Sequence, residues 1–137
     1  MDYYLSRLRE IGKECNVLYV EDEIGIREEM RLFLEKFFSG VECASDGQEG
    51  LELYKSGGFD IVITDISMPR MDGIEMSRNI KEMNRDQIII VVTAFTNDDY
   101  FRELLNIGIS SFILKPAQNE QILHTLYDAA IRIKDTK

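Results

Sequence analysis

Acidic, hydroxyl and basic side chains directly follow apolar runs in this 137-residue chain. Of five such runs, the first is followed by Glu21 and Asp22, the third by Asp65, the fourth by Thr93 and the fifth by Lys115. If the runs are parallel strands, these side chains meet beyond the carboxyl ends of the sheet, where sheets of this kind bind ligands. We therefore expect one site with three carboxylates, a hydroxyl and an ammonium group.

Three carboxylates brought together repel one another, so they either share a proton or bind a cation. We favour a cation, and because no Cys or His cluster accompanies these oxygens, Mg²⁺ is the expected ion. In such a site Lys115 would stabilise charge on a transferring phosphoryl group, and the hydroxyl of Thr93 would hydrogen-bond another of its oxygens. Asp65 is then a possible nucleophile.

The apolar runs alternate with helical patterns, which is typical of an α/β protein with a parallel sheet covered on both faces. The third and fourth runs are continuously apolar, as buried central strands are. Because crossovers between such strands are right-handed, the sequence predicts a doubly wound five-stranded parallel sheet flanked by helices. The predicted strands are 16–20, 41–44, 60–64, 88–92 and 110–114.

Amphipathic helices are predicted between the strands. In the first of them Ile26, Met30, Phe33, Leu34 and Phe37 recur at helical spacing and should face the sheet. The next should begin at Asp46-Gly47 and end at Ser56-Gly57-Gly58. The remaining predicted helices are 73–83, 98–107 and 119–134.

Residues 1–14 lie outside this unit, so the predicted division is an extension over 1–14 and one domain over 15–137. Tyr3, Tyr4, Leu8 and Ile11 suggest that the extension is a short helix. The sequence leaves three alternatives open for it: docking on the domain, docking on a partner copy, or no stable docking.

Composition limits the possible partners. Sixteen basic and 25 acidic residues give a formal charge of −9, which opposes nucleic-acid binding by this chain alone. No apolar run approaches the roughly 20 residues that span a bilayer, and the first residues do not resemble a secretory signal. We expect a cytoplasmic protein without a membrane segment, whose Cys15 and Cys43 are free buried thiols.

Four motifs together resemble the receiver domains of bacterial response regulators in two-component systems, a family related to the chemotaxis response regulator. They are VLYVEDE, DIVITDISMPRMDG, VVTAF and FILKP, and the resemblance covers residues 16–134. It implies the flavodoxin-like receiver fold, whose strand order is 2-1-3-4-5.

The resemblance also implies a role for each matching residue at the metal. Asp65 would be the phosphoacceptor and Asp22 a direct ligand of Mg²⁺, for which Mn²⁺ could substitute. Ser67 would provide its backbone carbonyl. Glu21, which stands where many relatives have Asp, would help to hold the ion, so its longer side chain changes the geometry while keeping the charge.

Further residues match positions that respond to the phosphoryl group in the family. Thr93 and Lys115 would contact that group, Thr93 and Phe112 would move in response, and the Lys115–Pro116 peptide bond would be cis. Ser67 and Phe95 occupy positions that tune the lifetime of the phosphoryl group through water access.

The function implied is acceptance of a phosphoryl group by Asp65 from a histidine kinase, a phosphotransfer protein or a small phosphodonor. The last two helices and the fifth strand would then bind an output domain or target protein, and a homodimer is possible. On this reading the domain assists its own phosphorylation and dephosphorylation and is not a turnover enzyme.

Three other functions are alternatives to this one. A degenerate receiver would act only as a protein-interaction module, which the intact set of Asp65, Thr93 and Lys115 disfavours. An aspartyl-phosphate hydrolase would need a second acid where this chain has Ser67. A flavodoxin-like cofactor binder would need a glycine- and hydroxyl-rich loop after the first strand, where the sequence is EDEIGIRE.

Overall fold

The chain alternates between helices and strands, as its hydrophobic pattern predicts. The computed structural model describes residues 2–94, 98–109 and 111–136. The strands are β1 (Asn16–Val20), β2 (Gly40–Ala44), β3 (Ile61–Thr64), β4 (Ile88–Thr93) and β5 (Ser111–Leu114). The helices are α1 (Asp2–Gly12), α2 (Ile24–Leu34), α3 (Gly47–Ser56), α4 (Gly73–Met83), α5 (Asp98–Ile107) and α6 (Asn119–Thr136).

The five strands form one parallel sheet in the order β2-β1-β3-β4-β5. The predicted fold and strand order are confirmed. The register pairs Val20 with Thr64, so the residues that follow them, Glu21 and Asp65, leave neighbouring strands side by side. The backbone N–H of Lys115 donates to the carbonyl of Thr93 at 2.9 Å, which aligns the ends of β4 and β5 in the same way.

Apolar side chains fill both faces of the sheet because successive residues of a strand point to opposite sides. Val17 and Tyr19 of β1 pack with residues of α1, α2 and α6, whereas Leu18 and Val20 pack with residues of α3, α4 and α5. All four residues of β3 are buried, as expected for a central strand. The two apolar layers hold the carboxyl ends of the strands in fixed positions.

The prediction for α2 is partly wrong. Ile26 was expected to face the sheet, but it is 40% exposed. It lies in the first turn of α2, which begins close to the carboxyl end of β1, so this turn is not packed over the face of the sheet. Leu34, at the other end of the helix, is fully buried. Phe37 is buried as expected, but it lies in the turn after the helix ends.

Helix α1 docks on the domain, which is the first of the alternatives that the sequence left open. Leu8 is 1% exposed and Ile11 is also buried, and both belong to the apolar layer that α6 covers. The ring of Tyr4 lies 5.0 Å from the ring of His124 and 5.1 Å from that of Tyr127. In the described part of the chain, no helix combines the length and apolarity that a membrane span requires.

Candidate functional site

Lys115 joins two carboxylates at the carboxyl edge of the sheet. Its Nζ atom lies 2.9 Å from Oδ2 of Asp65 and 3.2 Å from Oε1 of Glu21. The three residues follow β5, β3 and β1, so the sheet topology brings them together across 50 and 94 positions of sequence. These three side chains therefore lie together at this edge, as the sequence predicts.

Glu21 is held from several directions and is only 2% exposed. The backbone N–H of Glu23 donates to its Oε2 at 3.1 Å, and Nη1 of Arg27 donates to its carbonyl at 2.8 Å. Burial raises the pKa of Glu21, and the hydrogen bonds from Glu23 and Lys115 oppose that rise. Sequence reasoning missed Arg27, for which the only signal was its position in the first turn of the helix that follows the acidic pair.

Lys115 keeps its charge in this setting. Burial lowers the pKa of its ammonium, but the hydrogen bond and the charge of Asp65, followed by those of Glu21, outweigh burial and raise the pKa above its usual value. The site thus combines a fixed cation with two carboxylates. Tyr19 lies beneath it in β1, and burial together with the charges of Glu21 and Asp65 raises the pKa of its phenol.

The loop that follows Asp65 closes tightly on itself. The N–H of Ile66 donates to Oδ1 of Asp65 at 2.6 Å, and the N–H of Gly73 donates to the carbonyl of Ile66 at 2.8 Å. A Cβ atom on Gly73 would lie 2.0 Å from the carbonyl oxygen of Asp65, so only glycine fits there. The start of α4 therefore packs directly on the backbone of Asp65.

The other predicted site residues lie at the end of a strand or just beyond one. Thr93 ends β4 and is 1% exposed. The side chains of Asp22 and Ser67 are exposed beside Glu21 and Asp65. Among the described residues, no three His, Cys, Asp or Glu side chains are arranged to hold a metal ion, so the predicted ligand set remains a prediction.

The donor chemistry nevertheless fits a hard divalent cation. Glu21 and Asp65 already converge on one cationic group, the ammonium of Lys115, and every donor offered at this edge is an oxygen. A cation placed here would meet two carboxylates on neighbouring strands, with the exposed Asp22 next to them. This set suits Mg²⁺ and not a soft metal that prefers sulfur or imidazole ligands.

Phe112 lies in β5, three residues before Lys115. It is half-buried, and its ring packs edge to face on that of Phe101 in α5, with 5.2 Å between the ring centres. The Lys115–Pro116 peptide bond is cis. Phe95, to which a role in phosphoryl lifetime was assigned, lies outside the described residues.

A second ion pair, which sequence reasoning missed, lies beside the loop between β3 and α4. Nε of Arg70 in this loop lies 2.8 Å from Oδ2 of Asp46, and Nη2 of Arg70 contacts the same oxygen. Asp46 is buried and caps α3 by accepting the N–H of Glu49 at 2.9 Å. The sequence signalled Asp46 only as a helix cap.

Comparisons with known proteins agree with this geometry. The family model for the response regulator receiver domain matches residues 17–127. The chemotaxis protein CheY of Halobacterium salinarum is 33% identical over 112 residues, which cover 82% of this chain and 93% of that protein.

Two solved structures extend the comparison. The N-terminal domain of an uncharacterized protein from Wolinella succinogenes has a TM-score of 0.85 at 32% identity and covers 90% of this chain and 99% of its own. The CheX–CheY–BeF3–Mg²⁺ complex from Borrelia burgdorferi has a TM-score of 0.76 at 30% identity and covers 87% of this chain and 91% of the matched chain.

The chain thus shares its fold with a class of signalling proteins that includes chemotaxis proteins and transcriptional regulatory proteins. The chain belongs to the response regulator receiver domain family. It is a CheY-like receiver of two-component phosphorelay signalling.

Proposed function

We propose that Asp65 accepts a phosphoryl group in a Mg²⁺-dependent reaction with a histidine kinase, a phosphotransfer protein or a small phosphodonor. The observation that carries this proposal is the contact of 2.9 Å between Lys115 Nζ and Asp65 Oδ2. An ammonium group at this distance can neutralise charge on a phosphoryl group attached to the same carboxylate. An Oδ atom of Asp65 attacks phosphorus, and the bond to the donor nitrogen or oxygen breaks with its electron pair leaving on the donor.

Glu21, Asp22, Asp65 and the carbonyl of Ser67 would hold the Mg²⁺ ion, for which Mn²⁺ could substitute. When bound, the ion neutralises charge on the phosphoryl oxygens. A relative at 30% identity occurs in a complex with BeF3 and Mg²⁺, which supports this cofactor. The chain's own contribution is to fix Asp65 through Ile66 and Gly73 and to keep the ammonium of Lys115 beside it.

We propose that Thr93 and Phe112 change position when the phosphoryl group is present and so alter the surface that a partner binds. Thr93 is at the end of β4, where its hydroxyl would hydrogen-bond a phosphoryl oxygen. Phe112 is half-buried against Phe101, so an inward movement of its ring would change the surface between α5 and β5. Leu105 and Leu114 are exposed on these elements, which supports a face of α5, β5 and α6 that binds an output domain or target protein.

We also propose that residues 15–137 form the receiver domain and that residues 1–14 are an extension to it. The family model begins at residue 17, which supports a boundary near 15. Because Leu8 and Ile11 of α1 are buried in the core, we expect the extension to contribute to the stability of the domain.

The test is intact-protein mass spectrometry after incubation with acetyl phosphate, with and without Mg²⁺, on wild type and Asp65→Ala. We expect a Mg²⁺-dependent gain of one phosphate that the variant lacks. Asp98→Ala, which removes an acid in α5, is the matched control and should label like wild type. Equal labelling of Asp65→Ala would remove Asp65 from this role.

The same samples address the alternatives. No labelling, with Mg²⁺ binding established by calorimetry and a histidine kinase also supplied as donor, would favour a module that only binds proteins. Continuous release of phosphate from an added phosphomonoester would favour an aspartyl-phosphate hydrolase, whose second acid is replaced here by Ser67.

A further inference from the structure

The loop between β3 and α4 contains a strained turn at Arg70. This residue has φ of 65°, and among the described residues it is the only one other than glycine with a positive φ. The N–H of Met71 donates to the carbonyl of Pro69 at 2.8 Å, which makes a three-residue γ-turn centred on Arg70. Such turns are rare and strained for a residue with a side chain.

An interaction of the Arg70 side chain compensates for this strain. Its guanidinium contacts Oδ2 of Asp46 through both Nε and Nη2. Because Asp46 is buried and its Oδ1 is fixed by the N–H of Glu49, the guanidinium binds a rigid acceptor. Glycine or asparagine would adopt this φ at a lower cost, so the arginine is explained by the contact that its side chain makes.

A backbone contact joins the same two segments. The N–H of Gly47, next to Asp46, donates to the carbonyl of Met71 at 2.9 Å. A Cβ atom on Gly47 would lie only 2.3 Å from that oxygen, so the start of α3 approaches the loop as closely as glycine permits. The second half of the loop is therefore tied to α3 by one ion pair and one hydrogen bond.

We propose that Arg70 is a positioning residue for the metal and phosphoryl site. Its pairing with Asp46 holds the strained turn, and the turn fixes the backbone of Ser67, three residues earlier, beside Asp65. This inference rests on the proposed function, in which the carbonyl of Ser67 is a Mg²⁺ ligand. Loss of the pair would relax the turn and displace that carbonyl, while Asp65 and Lys115 keep their own contacts.

Two variants break the pair from opposite sides. Arg70→Asn tolerates the positive φ but lacks the guanidinium, and Asp46→Asn keeps an oxygen to cap α3 but lacks the charge. We expect each to weaken Mg²⁺ binding about tenfold, the lower end of the range for residues that support metal ligands. The rate of labelling by acetyl phosphate at saturating Mg²⁺ should change by less than about twofold, because Asp65 and Lys115 are untouched.

The double variant tests whether the two residues act through each other. If they do, Arg70→Asn combined with Asp46→Asn should bind Mg²⁺ no more weakly than either single variant. Arg70→Lys should recover part of the affinity. Arg78→Asn is the control, since it removes another exposed positive charge, one that pairs with Glu103 of α5, and its Mg²⁺ affinity should equal that of wild type.

Mg²⁺ binding is measured by titration calorimetry, apart from any labelling. Wild-type affinity in both single variants, or additive losses in the double variant, would overturn the role of Arg70. If wild type binds Mg²⁺ but takes up no phosphate, the proposed function fails while the effect of the pair on metal binding is still decided by the same titrations.

Discussion

The ammonium of Lys115 is hydrogen-bonded to the carboxylate of Asp65 at 2.9 Å, although the two residues lie 50 positions apart in the chain. The same ammonium also contacts Glu21, so one lysine balances two carboxylates that repel each other. This arrangement offsets the repulsion between the two carboxylates at the carboxyl edge of the sheet. It also places a positive charge where a phosphoryl group on Asp65 would need one.

Lys115→Met should expose the repulsion between Glu21 and Asp65. Because both carboxylates lose their counter-charge, we expect the free energy of unfolding at pH 7 to fall by about 1–2 kcal/mol, less than for a fully buried pair because Lys115 is partly exposed. Mg²⁺ should stabilise this variant more than wild type, because the ion replaces the missing charge. Urea denaturation with and without Mg²⁺ measures both effects.

The control for this prediction is Lys36→Met, which removes an exposed lysine in the turn after α2. Its stability should differ from wild type by less than about 0.5 kcal/mol. If Lys115→Met were as stable as wild type at every Mg²⁺ concentration, the ammonium would not be what balances the two carboxylates.

Asp46 should make stability depend on pH in the acid range. Burial alone would raise its pKa, but the N–H of Glu49 and the guanidinium of Arg70 outweigh burial and lower the pKa below the usual value. A carboxyl with a lowered folded-state pKa stabilises the protein above its unfolded-state pKa, and this contribution is lost as pH falls through the folded-state pKa.

Denaturation of wild type and Asp46→Asn between pH 7 and pH 3 measures this contribution. Wild type should be the more stable protein at pH 7, and the difference should shrink below about pH 4, near the ordinary pKa of aspartate. A difference that stays constant over this range would mean that the charge of Asp46 does not contribute.

Gly73→Ala should disturb both the fold and the site. Its Cβ atom would lie 2.0 Å from the carbonyl oxygen of Asp65, and since that oxygen belongs to the backbone, Asp65 or α4 must shift. We expect a loss of about 2–3 kcal/mol in unfolding free energy, together with slower labelling of Asp65. Thermal unfolding and mass spectrometry with acetyl phosphate provide the two readouts.

Gly25→Ala is the matched control in the first turn of α2. The atom nearest to its Cβ would be Oε1 of Glu23 at 3.2 Å, the end of a flexible side chain that can move. Alanine also favours a helix over glycine, so stability should be unchanged or slightly higher. If wild type, Gly73→Ala and Gly25→Ala were equally stable, the backbone of Asp65 would not be packed too closely on Gly73 for a Cβ atom, and the prediction would be wrong.

Leu8→Ala should show that α1 is an integral part of the core. Leu8 is 1% exposed, so its truncation removes apolar contacts and leaves a cavity, at an expected cost of about 2–4 kcal/mol. Leu32→Ala, at a position that is 59% exposed on α2, should cost less than about 0.5 kcal/mol. Equal effects in urea denaturation would mean that α1 does not contribute to the stability of the domain.

Much of the fold could be predicted from the sequence because its signals are local. The runs IVIT and IIIVV indicated central strands, and both are interior strands of the sheet. Apolar residues also recur at helical spacing along α6, and those that are buried are Ile122, Leu123, Leu126, Ala129, Ala130 and Ile133. The polar residues after four of the five runs predicted the position of the candidate site, since the carboxyl ends of parallel strands share one edge. Ile26 was misplaced because periodicity does not show where a helix extends past the sheet.

By itself, then, the sequence determined the sheet, its strand order through the family resemblance, and the edge at which Glu21, Asp65 and Lys115 meet. Only the tertiary structure decided that Lys115 contacts both acids, that α1 docks on the core, and that Arg70 pairs with Asp46. The physical reason is the range of the interactions. Periodicity and capping act over a few neighbouring residues, whereas these contacts join segments that only the packed sheet and helices bring together.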